Sequence, residues 1–147
     1  MEVFLLRILL AGVIGAVIGL NMGRYISTAR TFIIICMGSA LITITSVEFF
    51  KMFDYPWYSD PGRLSAQVVS ALGFIGVGLI WMSEDRKIRG LSVAASLWIT
   101  AIIGILIGIG LLKITFIFLL LLILIAYFAE PLVRWRRNMQ SRKGNME

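Results

Sequence analysis

The sequence predicts an all-α integral membrane protein, a bundle of five transmembrane helices with the N-terminus outside and the C-terminus cytoplasmic. Three observations carry that expectation. Hydrophobic residues fill 59% of the 147 positions and charged residues only 15%, too little charge to cover a soluble surface. Apolar runs near the length needed to cross the hydrocarbon, about 20 residues in a helix, recur five times along the chain. Lys and Arg then collect on one side of those runs.

The runs are Val3–Met22, Thr31–Phe50, Leu64–Met82, Leu91–Leu112 and Ile114–Phe128. The first follows Met1-Glu2 with no basic n-region and no small-x-small cleavage site, so it is expected to remain as a span rather than leave as a signal peptide. The fourth and fifth meet at Lys113, which calls for a very tight turn. Pro131 removes a backbone donor, and a kink or break is expected near it. Residues 1–130 therefore read as one membrane domain and residues 131–147 as a basic cytoplasmic tail.

Orientation follows from the cations. With the N-terminus outside, the inner side holds Arg24, Arg30, Arg86, Lys87, Arg89, Arg134, Arg136, Arg137, Arg142 and Lys143, and the outer side keeps Arg7, Lys51, Arg63 and Lys113. Trp135 would sit at the inner headgroup level and Trp57 at the outer one. The net charge of +6 then reads as topology and contact with anionic lipid. Nucleic-acid binding would need a basic folded domain, and the residues after Pro131 are too few to make one.

Several chemistries drop out. The chain has no histidine and one cysteine, Cys36, inside an apolar run. That leaves no disulfide framework within one chain, no C-x-x-C, and little basis for transition-metal or nucleophilic chemistry. Neither a cofactor motif nor a nucleotide loop is present, and the chain is read as not an enzyme.

Helices in lipid associate by close packing and shared hydrogen bonds, so small residues mark where backbones approach. The first span offers Ala11, Gly15, Gly19 and Gly23 at four-residue spacing. The third offers Gly73, Gly76 and Gly78, and the fourth Ala94, Ala95, Ala101, Gly104 and Gly108. The fifth is Leu- and Ile-rich with only Ala126 as a small residue, which suits a peripheral, lipid-facing helix. Each stripe fits packing within the protomer or a dimer seam, and Gly15–Gly19–Gly23 is the best candidate for a homodimer contact.

Polar residues within spans must face protein or water. Asp60-Pro61 reads as a helix start, with Asp as N-cap and Pro at the first helical position. Arg63, Gln67, Ser70 and Phe74 then share one face of the third span. The fourth carries Arg89, Ser92, Ser96 and Thr100 on one face, and the second Ser39, Thr43 and Ser46. These stripes are expected to point at a common axis. Glu48 is an acid inside a span and is expected to pair with Arg7 or Arg63. Glu48, Asp54 and Asp60 could offer carboxylates to magnesium, which wants octahedral oxygen ligands, but Arg63 beside them argues against a dedicated cation cage.

These residues closely resemble the MgtC/SapB membrane-protein family. The resemblance rests on Asp60-Pro61-x-Arg63, Ala66-Gln67-Val68-Val69-Ser70, Gly73-Phe74-Ile75-Gly76-x-Gly78, and Arg89-Gly90-Leu91-Ser92-x-Ala94-Ala95-Ser96-Leu97-Trp98. Arg30-Thr31 matches the family's RT pair at the second span, and Gly15 with Gly19-Leu20 its first-span glycines. The similarity covers roughly residues 10 to 112. It departs at Asn21-Met22, where the family usually has Glu-Arg, at Phe32 in place of a common histidine, and at Ala71 in place of glycine. The chain resembles a short form without the C-terminal cytoplasmic domain of many members. The resemblance implies a bacterial inner-membrane protein linked to growth at low magnesium and, in pathogens, to survival inside host cells. It also implies action on membrane partners, among them the F-type ATP synthase.

Two functions compete. The first is a regulatory or accessory membrane protein acting by helix contact, through Gly15–Gly19–Gly23 or the polar face of the third span. Its partners would be membrane lipid, a membrane protein and a second copy of the chain. The second is a transporter or channel for magnesium or another small ion, with Asp60, Arg63, Gln67 and Ser70 lining an entry and Ser96 and Thr100 deeper in.

Overall fold

The computed structural model describes residues 1–22, 26–52, 60–125 and 127–128. Expectations attached to Gly23, Arg24, Asp54, Trp57, Ala126, Pro131, Trp135 and the basic tail lie outside the described residues. The elements run α1 (Glu2–Met22), α2 (Ile26–Met52), α3 (Arg63–Leu79), β1 (Trp81–Met82), β2 (Ile88–Arg89), α4 (Leu91–Ile109) and α5 (Leu112–Ile125). The described chain is thus helical apart from one two-residue antiparallel ladder that the sequence did not suggest. It divides into two compact units, Met1–Leu112 and Lys113–Glu147.

Three helices are long and apolar enough to cross a membrane: Glu2–Met22, Ser27–Met52 and Leu91–Ile109. α3, with 17 residues, is about 26 Å long at 1.5 Å per residue and, like α5, is a shorter apolar helix.

Within the first unit the helices alternate in direction. α1 lies on α2 through a ridge of small residues, where Ala11, Gly15 and Gly19 are buried. A Cβ on Gly15 would come 2.8 Å from Phe32 O, and one on Gly19 2.7 Å from Ala29 Cα. The ridge offered above as a homodimer contact is therefore occupied, at Gly15 and Gly19, by the protomer's own α2. α4 presses on the same face of α2 further along the helix, sharing Cys36 with α1. A Cβ on Gly108 would come 2.7 Å from Ala40 O and 2.9 Å from Thr43 Cβ, and one on Gly104 would land on Cys36 O. Two glycine ridges thus meet one face of α2, along which Phe32, Cys36, Ala40 and Ile44 are buried. Such close backbones gain dispersion contacts that lipid cannot match.

Helix ends differ from the sequence expectation for local reasons. α2 starts at Ile26 rather than Thr31, and the added turn brings Ala29 against Gly19 of α1. The Thr31 hydroxyl also closes on Ser27 O at 3.1 Å, which keeps this polar turn helical. α3 stops at Leu79 rather than Met82. Ile80 turns extended, and Trp81 and Met82 pair with Arg89 and Ile88. Gly90 at φ +82° then opens α4, packed so closely on the end of α3 that a Cβ would fall on Leu79 O.

α4 ends on Gly110 at φ +95°. The Gly110 N–H donates to Ile107 O at 3.0 Å, and the Leu111 N–H donates to Leu106 O at 3.0 Å. That is a Schellman arrangement, so the turn into α5 comes before Lys113. Arg7 completes this helix end from α1, its Nη1 donating to Gly108 O at 3.0 Å. A cation there meets the negative end of the α4 dipole. Glu48 instead pairs with Lys51 at 2.7 Å, one turn along its own helix. The expected Arg7–Glu48 pair is not formed, since each side chain has a nearer partner. Replacing Arg7 with Met is expected to cost about 2 kcal/mol, with Lys recovering part of it. Thermal melting in detergent measures this, and an unchanged Arg7→Met melting temperature would refute the capping role.

Candidate functional site

The start of α3 is built differently from a simple Asp-capped helix. Asp60 Oδ1 accepts the Gly62 N–H at 2.8 Å, an Asx turn, and the helix begins at Arg63 with Gly62 at its N-cap. Asp60 therefore shapes the turn before the helix and does not cap it. The same turn is tied to α2, because Ser46 Oγ donates to Pro61 O at 2.6 Å.

One turn further in, Ser65 and Thr43 share a buried hydrogen bond at 3.1 Å between hydroxyls. Thr43 Oγ1 also reaches Ser39 O on its own helix at 2.8 Å. Ser39, Thr43 and Ser46 are all buried, so the α2 stripe faces α3 and α4. The groups that answer it are the Pro61 carbonyl just before α3 and Ser65 on α3. The sequence reading had Pro61 only as a helix start and missed Ser65. The available signal was the spacing Ser65–Leu72–Leu79, two heptads marking the side on which Ser65 and Leu72 are buried.

That spacing puts the predicted polar stripe on the opposite side of α3. Arg63, Gln67 and Ser70 are exposed, and Phe74 beyond them is 86% exposed. Ser70 Oγ makes a long 3.5 Å contact with Ala66 O on its own helix. Among the described residues, the Gln67 amide and the Arg63 guanidinium have no hydrogen-bond or ion-pair partner.

On α4, Ser96 Oγ donates to Ser92 O at 2.8 Å and Thr100 Oγ1 to Ser96 O at 2.7 Å. Ser96 Oγ also lies 3.1 Å from Met22 Sδ. These hydroxyls close on their own helix, as they do in apolar surroundings, while Arg89 and Ser92 are exposed. The three stripes thus do not converge on one axis. The α2 stripe is buried, the α4 stripe is largely self-satisfied, and the α3 stripe faces away from the rest of its unit.

The glycines divide in the same way. A Cβ on Gly76 would meet Ala94 Cβ of α4 at an ordinary 3.6 Å, whereas one on Gly73 or Gly78 would meet nothing within 4 Å. At the other end of the bundle, Asn21 Nδ2 closes on Val17 O at 2.8 Å. Glu84, Asp85, Arg86 and Lys87 form the exposed tip of the hairpin. Among the described residues, no three His, Cys, Asp or Glu side chains converge as a metal group would require.

A family model described as the MgtC family matches residues 8–135. The chain belongs to the MgtC family. It is 38% identical over 109 residues to the protein named MgtC of Salmonella typhimurium, covering 73% of this chain and 44% of the relative. It is 40% identical over 112 residues to an Escherichia coli K12 protein named "Putative magnesium transporter YhiD", covering 73% and 51%. An uncharacterized protein of Haemophilus influenzae is 35% identical over 147 residues, covering 93% and 60%. The chain spans about half the length of these curated relatives. No solved structure matches it.

The MgtC-like motif is split by the fold. Arg63, Gln67, Ser70 and Phe74 face outward, Ala94 receives Gly76, and Gly90 makes the turn between α3 and α4. Phe32, where the MgtC/SapB pattern commonly has histidine, is fully buried against the α1 glycines.

Proposed function

We propose that this chain is a regulatory or accessory protein of the bacterial inner membrane, linked to magnesium homeostasis through contacts with other membrane proteins. One observation carries this reading. Arg63, Gln67 and Ser70 lie on the side of α3 that its own unit leaves uncovered. A glutamine within a span needs a partner, and that partner would come from outside the described unit. The MgtC and YhiD relatives direct the proposal toward magnesium.

Five spans with the N-terminus outside suit the same picture. Arg86, Lys87 and Arg89 lie in the α3–α4 connection, at the bundle end where Met22 meets Ser96. Arg7 lies at the opposite end with Gly108. Positive-inside bias then favours the hairpin end as cytoplasmic.

The test is growth of a bacterium that depends on this protein, at limiting magnesium, with Gln67→Leu and Ser70→Leu in place of the native residues. Both variants are expected to keep their membrane level and melting temperature and to lose low-magnesium growth. Wild-type growth by both would overturn the proposal.

A conduit for magnesium is the second reading, favoured by the printed name of the Escherichia coli relative and by the buried hydroxyls of Ser39, Thr43 and Ser65. Magnesium flux into liposomes holding the purified protein, abolished by Thr43→Val and Ser65→Ala, would establish that reading over the regulatory one. Folded protein without flux would exclude it.

A further inference from the structure

The outward side of α3 is not composed like a lipid-facing surface. This chain carries its own comparison in α5, whose sequence LKITFIFLLLLILI is almost wholly large and apolar. On α3 the exposed positions Arg63, Gln67, Ser70, Phe74 and Val77 recur at spacings of four, three, four and three. That 3.5-residue period is the seam of a left-handed helix pair. Gly73 and Gly78 flank it with open space where a Cβ would be, so a second backbone could come close.

We propose that this seam pairs with the α3 seam of a second copy of the chain. The proposal rests on the reading of the outward face as a contact surface and names its occupant. Two copies inserted with the same topology are related by a two-fold axis along the membrane normal. Each residue near that axis therefore meets its own counterpart at the same depth. A side chain suits that position when it complements itself. Gln67 does, because its amide both donates and accepts, so two copies form a reciprocal pair.

The end of the seam is self-complementary in charge. Asp60 and Arg63 are both exposed and, among the described residues, form no ion pair within one copy. At the two-fold axis the two Arg63 side chains face each other. Asp60 of each copy, three residues earlier, lies beside the other copy's Arg63, so that four charges alternate around the axis. The Gly15–Gly19 ridge cannot serve this purpose, since α2 already covers it.

Cysteine scanning in native membranes tests the proposal. In a Cys36→Ala background, Ser70→Cys and Val77→Cys are expected to form disulfide-linked dimers on mild oxidation. Ile75→Cys, exposed but on the flank of α3, and Leu20→Cys on α1 are not. Gln67→Leu should lower the Ser70→Cys dimer yield about tenfold, the scale of one polar pair between membrane helices. Arg63→Asp, which leaves the turn between Asp60 and Gly62 in place, should abolish the Ser70→Cys dimer with the melting temperature unchanged, and Arg63→Lys should keep it. An undiminished dimer in Arg63→Asp would overturn the charge pairing.

Equal crosslinking at all four cysteines would signify random collision and overturn the proposal. A photocrosslinking residue at Phe74 separates the remaining outcomes. Capture of a different polypeptide, without self-capture, would overturn the dimer and leave the contact-surface reading standing. Capture of no protein at all would overturn both.

Discussion

Leucine in place of Gly19 is expected to cost at least about 3 kcal/mol, the upper range for overpacking a close-packed core, and to separate α1 from α2. The first added atom would already stand 2.7 Å from Ala29 Cα and 3.0 Å from Phe32 Cβ. Neither neighbour is the loose end of a flexible side chain, so the helices must part rather than adjust. Gly73→Leu is the matched control, because its Cβ would enter open space, and its melting temperature in detergent should stay within a few degrees of wild type. If both variants melt like wild type, the ridge is not the α1–α2 contact described here. The pair also separates folding from association, since a loss of dimer in Gly19→Leu follows from loss of the protomer.

Alanine at Gly90 is expected to have an effect of similar size through a different mechanism. An L-residue held at φ +82° is strained by about 1–2 kcal/mol, and here its Cβ would also fall on Leu79 O and crowd the Trp81 ring at 3.0 Å. The turn must open, which pulls Ala94 away from Gly76 and frays the hairpin between α3 and α4. Thermal melting should fall, and hydrogen exchange should rise selectively across residues 79–94. Wild-type protection over that stretch would show that the turn tolerates a side chain. Since this turn sets the angle of α3, the variant should also lose activity where the outward face matters.

Much of the fold was legible in the residues. The apolar runs located five helices, and the Asp60 to Trp98 motif pointed to the MgtC family that the family model matches. What misled were choices between equivalent local options. Asp60 before Pro61 has the chemistry of an N-cap and of an Asx turn, and the hydrogen bond to Gly62 selects the second. Arg7 and Glu48 have complementary charge at similar depth. The bare carbonyl of Gly108 lies within reach of Arg7, and Lys51 is one turn from Glu48. Ser65 looked like any serine beside a long polar stripe until Thr43 was found facing it.

The sequence by itself determined that this chain folds as apolar helices for a membrane. In hydrocarbon every backbone polar group must bond within its own segment or a closed partner, and runs of this length and composition leave the helix as the solution. It also determined which residues share a helical face, because 3.6 residues per turn is fixed by the backbone. Only the tertiary structure decided what each face meets. Around a soluble helix, the hydrophobic side identifies the core. In lipid the surroundings are as apolar as leucine, and that signal vanishes. Gly15, Gly19, Gly104 and Gly108 are covered while Gly73 and Gly78 are bare, although all six read alike in the sequence. The difference is set by shape complementarity between helices, which is a property of pairs and not of any one segment.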